Sequence, residues 1–379
     1  MIAVTIVFWV AVALLIYAQV GYALLLALLT ALRPGARTTR PTTASHHDLP
    51  RVSVIVAAYN EQDVIGLRVT NLRALAYPAE LLEVIVASDG STDSTAEQAR
   101  AAGADIVLEL PRGGKIAAQD AAVARGSGTL LAFSDANSNW EPEALQRLVD
   151  AFGDPKIGYV CGDVTFLDAG GTNQEGLYWR YEMWLRRMES RLISVTSGNG
   201  AIYATRRESY LNVDPLAGHD LSFPFNMVKR GWRAIYVTGA RASEKMAPSI
   251  EGEFSRKRRM ARRTWPTVFG SGLLSPRGYS PLYALMIFSH RILRYLVPFL
   301  HGLALATNLA LLGRSPLYIV TLALQVGILV GAARAPRVPA RLLLVARYYV
   351  VTNWALAAGL WDWLRGRRSP VWETVEGTR

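Results

Sequence analysis

The sequence predicts an α/β domain on a largely parallel sheet, joined to membrane helices at both ends. Three observations predict it. Strand-like and helix-like segments alternate from residue 52 to residue 134, the pattern of parallel strands joined by crossover helices. Three of these strands run out into Asn60-Glu61, Asp89 and Asp135, on the edge where open α/β sheets bind ligands. Long apolar runs flank the region, at 2–32 and beyond residue 280.

The membrane reading starts from composition. Of 379 residues 51% are hydrophobic, yet Lys and Arg outnumber Asp and Glu by 41 to 30, a formal charge of +11. Basic and apolar together point to a membrane protein with arginine-rich cytoplasmic edges. A nucleic-acid binder would gather its Lys and Arg on one soluble domain, so no nucleic-acid partner is expected. The single Cys161 excludes an intrachain disulfide and a cysteine zinc cluster, and the five His lack a metal-binding spacing. Residues 2–32 carry no charge and are long enough to cross a bilayer. They lack the basic start and short core of a cleaved leader, so 1–33 reads as an anchor. Arg33, Arg37 and Arg40 put its end inside. The Pro, Thr, Ser and His of 34–50 read as a linker.

The soluble part opens with a buried strand over 52–58, closed by Tyr59-Asn60-Glu61, and a helix to about 75. A strand over 82–87 ends in Ser88-Asp89-Gly90-Ser91-Thr92-Asp93. A helix over 95–102, a strand over 106–110 and a helix from Gly113-Gly114-Lys115 through Ala124 follow. The run Gly128-Thr129-Leu130-Leu131-Ala132 then leads to Phe133-Ser134-Asp135-Ala136-Asn137-Ser138. A carboxylate and an amide oxygen two residues apart can meet at one hard cation, Mg²⁺ or Mn²⁺, which shares its oxygen ligands with substrate phosphates. Gly114-Lys115 is not part of a GxxxxGK[ST] loop, but Lys115 can still meet a phosphate as a point charge.

Together these motifs resemble the family-2 glycosyltransferases, with a GT-A fold on a Rossmann-like, mostly parallel sheet. The resemblance runs roughly from Arg51 to Trp265. It implies that Ala57, Tyr59 and Glu61 lie beside the nucleotide, that Asp89 bonds a uracil ring and that Lys115 lies near the nucleotide. It implies that Asp135 and Asn137 form the metal-binding DxD element, whose second Asp is here Asn. Gly198, Asn199 and Gly200 match the loop that approaches donor sugar and acceptor. In Gly218-His219-Asp220, Asp220 fills the place of the catalytic Asp and His219 replaces the usual Glu. A carboxylate suits the role, because it can take a proton from the attacking hydroxyl.

An amphipathic helix over 177–192 interleaves Trp179, Tyr181 and Trp184 with arginines, and a helix over 221–230 ends at Gly231. The segment 255–265 is densely basic and suits anionic headgroups. The family holds QxxRW here. The best register gives Arg256, Arg259 and Met260, and an alternative uses Trp265 with Thr264 in place of the Arg; either way the motif is broken, and Arg256, Arg259 and Arg262 are expected to balance the leaving pyrophosphate. Loss of the motif's Trp predicts one or a few sugars per acceptor rather than a long polymer.

Beyond residue 280, stretches over 295–312 and 316–333 predict a helical hairpin. In the last apolar stretch, Arg347 and Asp362 leave only 348–361 uncharged. It is expected to be a re-entrant or interfacial helix, returning a tail whose Trp372 would reach the basic helix. The expected organisation is an anchor (1–33), linker (34–50), catalytic domain (51–250), basic interfacial region (251–280), membrane helices (281–363) and cytoplasmic tail (364–379). The resemblance implies an inverting transferase that moves a sugar from a UDP-linked donor, with a divalent metal, to a lipid-linked or glycan acceptor at the cytoplasmic membrane face. Two alternatives are a processive polysaccharide synthase with export and a non-catalytic scaffold that keeps the fold.

Overall fold

The computed structural model describes residues 1–33, 49–167, 174–215, 217–245, 250–338 and 340–366. Most of the expected linker, and the tail with Arg367, Arg368 and Trp372, lie outside the described residues.

Strands β1 (Val52–Ala58), β2 (Leu82–Asp89), β3 (Ile106–Leu110) and β4 (Leu130–Ser134) form the parallel half of one sheet, in the order 3-2-1-4. The expected bounds hold for β1 and β3, while β2 runs on to Asp89. The sheet continues as β7 (Tyr203–Arg206), β6 (Ile157–Leu167), β8 (Arg233–Lys245) and the short edge strand β5 (Asn139–Trp140). Here β7 is antiparallel to both β4 and β6, β6 is parallel to β8, and β5 is antiparallel to β8. Only β7 and β5 run against the other six strands, so the sheet is largely parallel, as expected. Helices α2 (Gln62–Arg73), α3 (Thr95–Ala101), α4 (Lys115–Arg125), α5 (Ala144–Ala151), α6 (Gln174–Leu192) and α7 (His219–Lys229) connect these strands.

All seven residues of β1 are buried, which is why the strand reads as a continuous apolar run. Its side chains alternate between two layers. Val52, Val54, Val56 and Ala58 pack in one layer with Ile65, Val69 and Leu72 of α2. Ile55 and Ala57 pack in the other with Ala118 and Ala122 of α4 and Phe223 of α7.

Four helices are long and apolar enough to cross a membrane: α1 (Ile2–Ala31), α9 (Pro281–Leu311), α10 (Pro316–Arg334) and α11 (Arg341–Leu364). Helix α9 begins well before the expected 295, because residues 281–294 pack on the catalytic region as well. Tyr22 and Leu26 of α1 and Tyr283, Met286 and Ile287 of α9 share an apolar cluster with Leu185 and Met188 of α6, Phe225 of α7 and Trp265 of α8 (Ile250–Gly270). Both α1 and α9 contain a π turn, at Tyr17–Gly21 and Phe288–Ile292, and the turns are joined by a 2.8 Å hydrogen bond between Tyr17 Oη and Ser289 Oγ.

The last apolar stretch corrects part of the expectation. It is one unbroken helix of 24 residues, about 36 Å at 1.5 Å per residue, so it is not a broken re-entrant segment. Asp362 is instead 2% exposed and receives two hydrogen bonds from Arg258, at 2.7 and 2.8 Å.

Candidate functional site

The strand-end loops are laced together. Asn60 takes a left-handed conformation (φ 50°), which Asn tolerates better than most residues. Its Oδ1 accepts the Thr92 amide at 2.9 Å, and the Glu61 amide donates to Thr95 Oγ1 at 2.8 Å. The turn after β1 thus sits on the loop after β2. Asp89 is buried, and its carboxylate accepts the amides of Gly113 (2.7 Å) and Gly114 (3.0 Å) and the guanidinium of Arg112 (3.0 Å). It therefore organises the loop that leads to Lys115. Arg112, which motif reasoning missed, lies over the Tyr59 ring, 3.1 Å from its centroid; a planar cation on an aromatic face beside a nucleotide edge is a stacking platform. Ala57 is buried in β1 and Glu61 is half-buried at the start of α2.

Lys115 at the start of α4 forms an ion pair with Asp135, so the cation and the carboxylate after β4 face each other. The loop 196–200 reaches the same point. A Cβ on Gly200 would stand 3.1 Å from Asp135 Oδ2 and 3.3 Å from Lys115 Nζ. A Cβ on Gly198 would fall 1.8 Å from the Tyr159 hydroxyl. Both glycines let backbone approach where a side chain would block it. Asn199 turns inward: its Nδ2 donates to Gly162 O (2.8 Å) and its Oδ1 accepts the Ile202 amide (2.9 Å). Both bonds shape the loop from inside.

The Gly198 amide donates to the backbone carbonyl of Asp220 at 2.6 Å, joining the loop to the start of α7. That helix begins after Gly218 without a side-chain cap, so the carboxylate of Asp220 is not used as an N-cap. His219 departs from its expected place among the loop residues. It is 3% exposed, stacked 4.0 Å from the Phe223 ring, with Nδ1 2.8 Å from Tyr203 Oη. Burial, and then the charge of Lys115, push its pKa well below the usual value. A neutral ring suits this aromatic packing, where an ionised Glu would be costly.

The basic helix divides by face. Arg258 and Arg262 both pair with Asp362 of α11, and Trp265 Nε1 donates to the Leu356 carbonyl of α11 at 3.0 Å. Arg262 is thus engaged by α11, a correction to its expected leaving-group role. The charge of Arg256 instead acts on Glu244, and that of Arg259 on Arg263. Burial lowers the pKa of Arg263, and the carboxylate of Asp220 partly offsets this. Residues 256, 259 and 263 fall on one stripe and 258, 262 and 265 on another, as a 3.6-residue period requires. Arg263, not Arg262, is the arginine on the side of Asp220.

For a hard divalent cation the donors fit. Asp135 and Asn137 offer oxygens only, and the bare Gly200 leaves room beside Asp135. Among the described residues no cluster of three His, Cys, Asp or Glu could hold a metal alone. Glu244, also missed from sequence, enters this site because β5 pairs with β8. It hydrogen-bonds to Ser138 in the DxD loop, and burial followed by the charge of Asp135 pushes its pKa up to about 7.

Comparisons with known proteins agree with this geometry. The model of glycosyl transferase family 2 matches residues 53–214. An N-acetylglucosaminyltransferase of Rhizobium leguminosarum bv. trifolii is 34% identical over 135 residues, 33% of this chain and 73% of that protein. Glycosyltransferase AglE of Haloferax volcanii is 29% identical over 181 residues, 46% of this chain, and an N-acetylglucosaminyltransferase of Rhizobium meliloti is 28% identical over 260 residues, 62% of this chain. The chain spans 58% and 60% of the length of these last two relatives. The mannosyltransferase PcManGT of Pyrobaculum calidifontis, solved in complex with GDP-Man and Mn²⁺, has the same fold across 96% of this chain and 100% of its own, with a TM-score of 0.70 at 21% identity. The motif-bearing strand ends, the matching family model and a relative covered over most of its length converge, and the chain belongs to glycosyl transferase family 2, with the GT-A fold.

Proposed function

We propose that the protein is a membrane-embedded, inverting glycosyltransferase. It takes a sugar from a nucleotide-sugar donor and adds it to a lipid-linked or glycan acceptor at the cytoplasmic membrane face. The observation that carries the reading is loop 196–200, which bonds to Asp220 through Gly198 and lies against Asp135 and Lys115 through Gly200. One short loop thereby joins a candidate base to a candidate phosphate site.

Asp220 takes the proton of the acceptor hydroxyl as its oxygen bonds to the anomeric carbon. The bond from that carbon to the diphosphate breaks with inversion, and Lys115, Arg256 and Arg259 offset the charge that develops. Asp135 and Asn137 are the residues that would hold a divalent cation, Mg²⁺ or Mn²⁺, with Glu244 beside them. When bound, such a cation supplies positive charge to the diphosphate. Tyr59, Arg112 and the loop held by Asp89 form the nucleotide platform.

Helix α11 supports an interfacial course beside membrane lipids. Its start packs at Gly331, near the end of α10, and its later turns pack on α8 at Ala261 and Arg258. Met260 is half exposed where the polymerase motif has Trp, which supports transfer of one or a few sugars; product sizing by mass spectrometry would show a long ladder if this is wrong. The overall test is release of nucleoside diphosphate from UDP- and GDP-linked sugars in membranes carrying the protein, with and without EDTA. Metal-dependent release with one donor class is expected. No release from any donor, with an acceptor lipid extract present, would overturn the reading.

A further inference from the structure

We propose that the membrane helices are part of the active site: a buried polar cluster on α1, α6 and α9 clamps Thr196 and so positions loop 196–200. This rests on the glycosyltransferase reading above.

Glu189 of α6 is the hub. Its Oε2 accepts the Thr196 amide at 3.0 Å, and its Oε1 accepts the Tyr22 hydroxyl of α1 at 2.6 Å. His290 Nδ1 of α9 lies 2.6 Å from the same Oε1. The Thr196 hydroxyl donates to Glu189 Oε2 (3.1 Å) and accepts Arg291 Nε of α9 (2.9 Å). Glu189 and Thr196 are fully buried, and Tyr22, His290 and Arg291 are at most 7% exposed. Glu182, about two helical turns before Glu189, pairs with Arg294 and meets the other side of the His290 ring.

Stability does not account for such a cluster. Replacing buried ion pairs by apolar packing is often neutral or stabilising, and apolar packing already docks these helices through Leu26, Leu185, Met188 and Ile287. Ionisable residues on membrane helices are expensive and mark function, and π turns concentrate at functional sites. Both π turns lie here, tied by Tyr17 and Ser289. The group they hold is Thr196, two residues before the amide that bonds Asp220 and four before the glycine against Asp135. A displacement of about 1 Å at a reacting centre can cost about 100-fold in rate, so a clamp this close governs turnover.

The test uses the full-length protein in detergent or nanodiscs. Thr196→Val removes the hydroxyl without changing shape, Thr196→Ser keeps it, and Tyr22→Phe removes the hydroxyl of α1. Thr196→Val is expected to lower kcat about 10- to 100-fold and Tyr22→Phe about tenfold. Donor KM and nucleotide affinity stay within about twofold of wild type, and Thr196→Ser restores most of the turnover. Hydrogen exchange should accelerate in residues 196–200 of both impaired variants and not in β1–β4. Wild-type kcat in Thr196→Val and Tyr22→Phe, a Thr196→Ser as poor as Thr196→Val, or exchange that rises throughout the domain would each overturn the clamp. Exchange needs no substrate. A wild type inactive with every donor would therefore refute the transferase reading, and loop exchange would still judge the clamp.

Discussion

The two halves of the sheet build their share of the site by different means. In the half from β1 to β4, the loops after β1 and β2 are held by their neighbours in the chain. Asn60 bonds Thr92, Glu61 bonds Thr95, and Asp89 bonds Gly113 and Gly114. None of these links spans more than about 35 residues of chain. In the half from β6 to β8, Thr196 is held by Arg291, 95 residues later, and by Glu189, which in turn accepts the hydroxyl of Tyr22, 167 residues before it. In the proposed function the first half is the nucleotide platform. The second draws on the terminal helices as well as on Glu189, Asp220 and Gly162. Damage in the first should be felt as lost donor binding, and damage in the second as lost turnover.

The sharpest way to break this comparison is Asp220→Asn. It should reduce transfer on the order of 10²–10⁴-fold while nucleotide affinity is retained; a purified variant with wild-type turnover would remove Asp220 from the chemistry. Next in size are the two strand-end carboxylates. Asp89→Ala frees the 112–114 loop and should weaken nucleotide binding whether or not metal is present. Asp135→Ala should weaken it chiefly in the presence of Mn²⁺. Calorimetry with UDP and GDP, with and without Mn²⁺, separates them, and unchanged affinity in both would place the nucleotide elsewhere.

Gly200→Ala probes the contact between the halves. Overpacking of this kind costs about 1–3 kcal/mol, so donor affinity in the presence of Mn²⁺ should fall roughly 5- to 150-fold. The same measurement without metal should change less. Smallest is the effect of Asp362→Asn, which leaves Arg258 and Arg262 without their carboxylate. It is expected to lower the melting temperature of the detergent-solubilised protein and to alter turnover only a few-fold. A reporter fused after Arg379 should then be active on the same side as the catalytic domain; activity on the opposite side alone would mean that α11 crosses the membrane.

The nucleotide half was legible because its signals are local. An apolar strand that ends in Asp or Asn announces its own position on the sheet edge, and Asp135, Asp89 and Lys115 stand where such runs end. Three features were not legible. The pairing of β5 with β8, which brings Glu244 to Ser138, joins residues about 100 apart in the chain. Arg112 over Tyr59 depends on how two loops fold on each other. His219 occupies a motif position but packs as an aromatic, because Phe133, Tyr203, Tyr210 and Phe223 close around it.

The basic helix shows where the boundary lies. From spacing alone, residues 256, 259 and 263 share one stripe of a helix and 258, 262 and 265 another, since each residue turns the backbone by a fixed angle. The sequence by itself determined that grouping, along with the parallel strands and the carboxylates at their ends. Only the tertiary structure decided which stripe meets the active site. Asp362 and the Leu356 carbonyl of α11 engage the second stripe, which turns the first toward Glu244 and Asp220. A residue's neighbours along a helix are set by backbone geometry, whereas its neighbours across a packing interface depend on segments about 100 residues away that carry no periodic trace of one another.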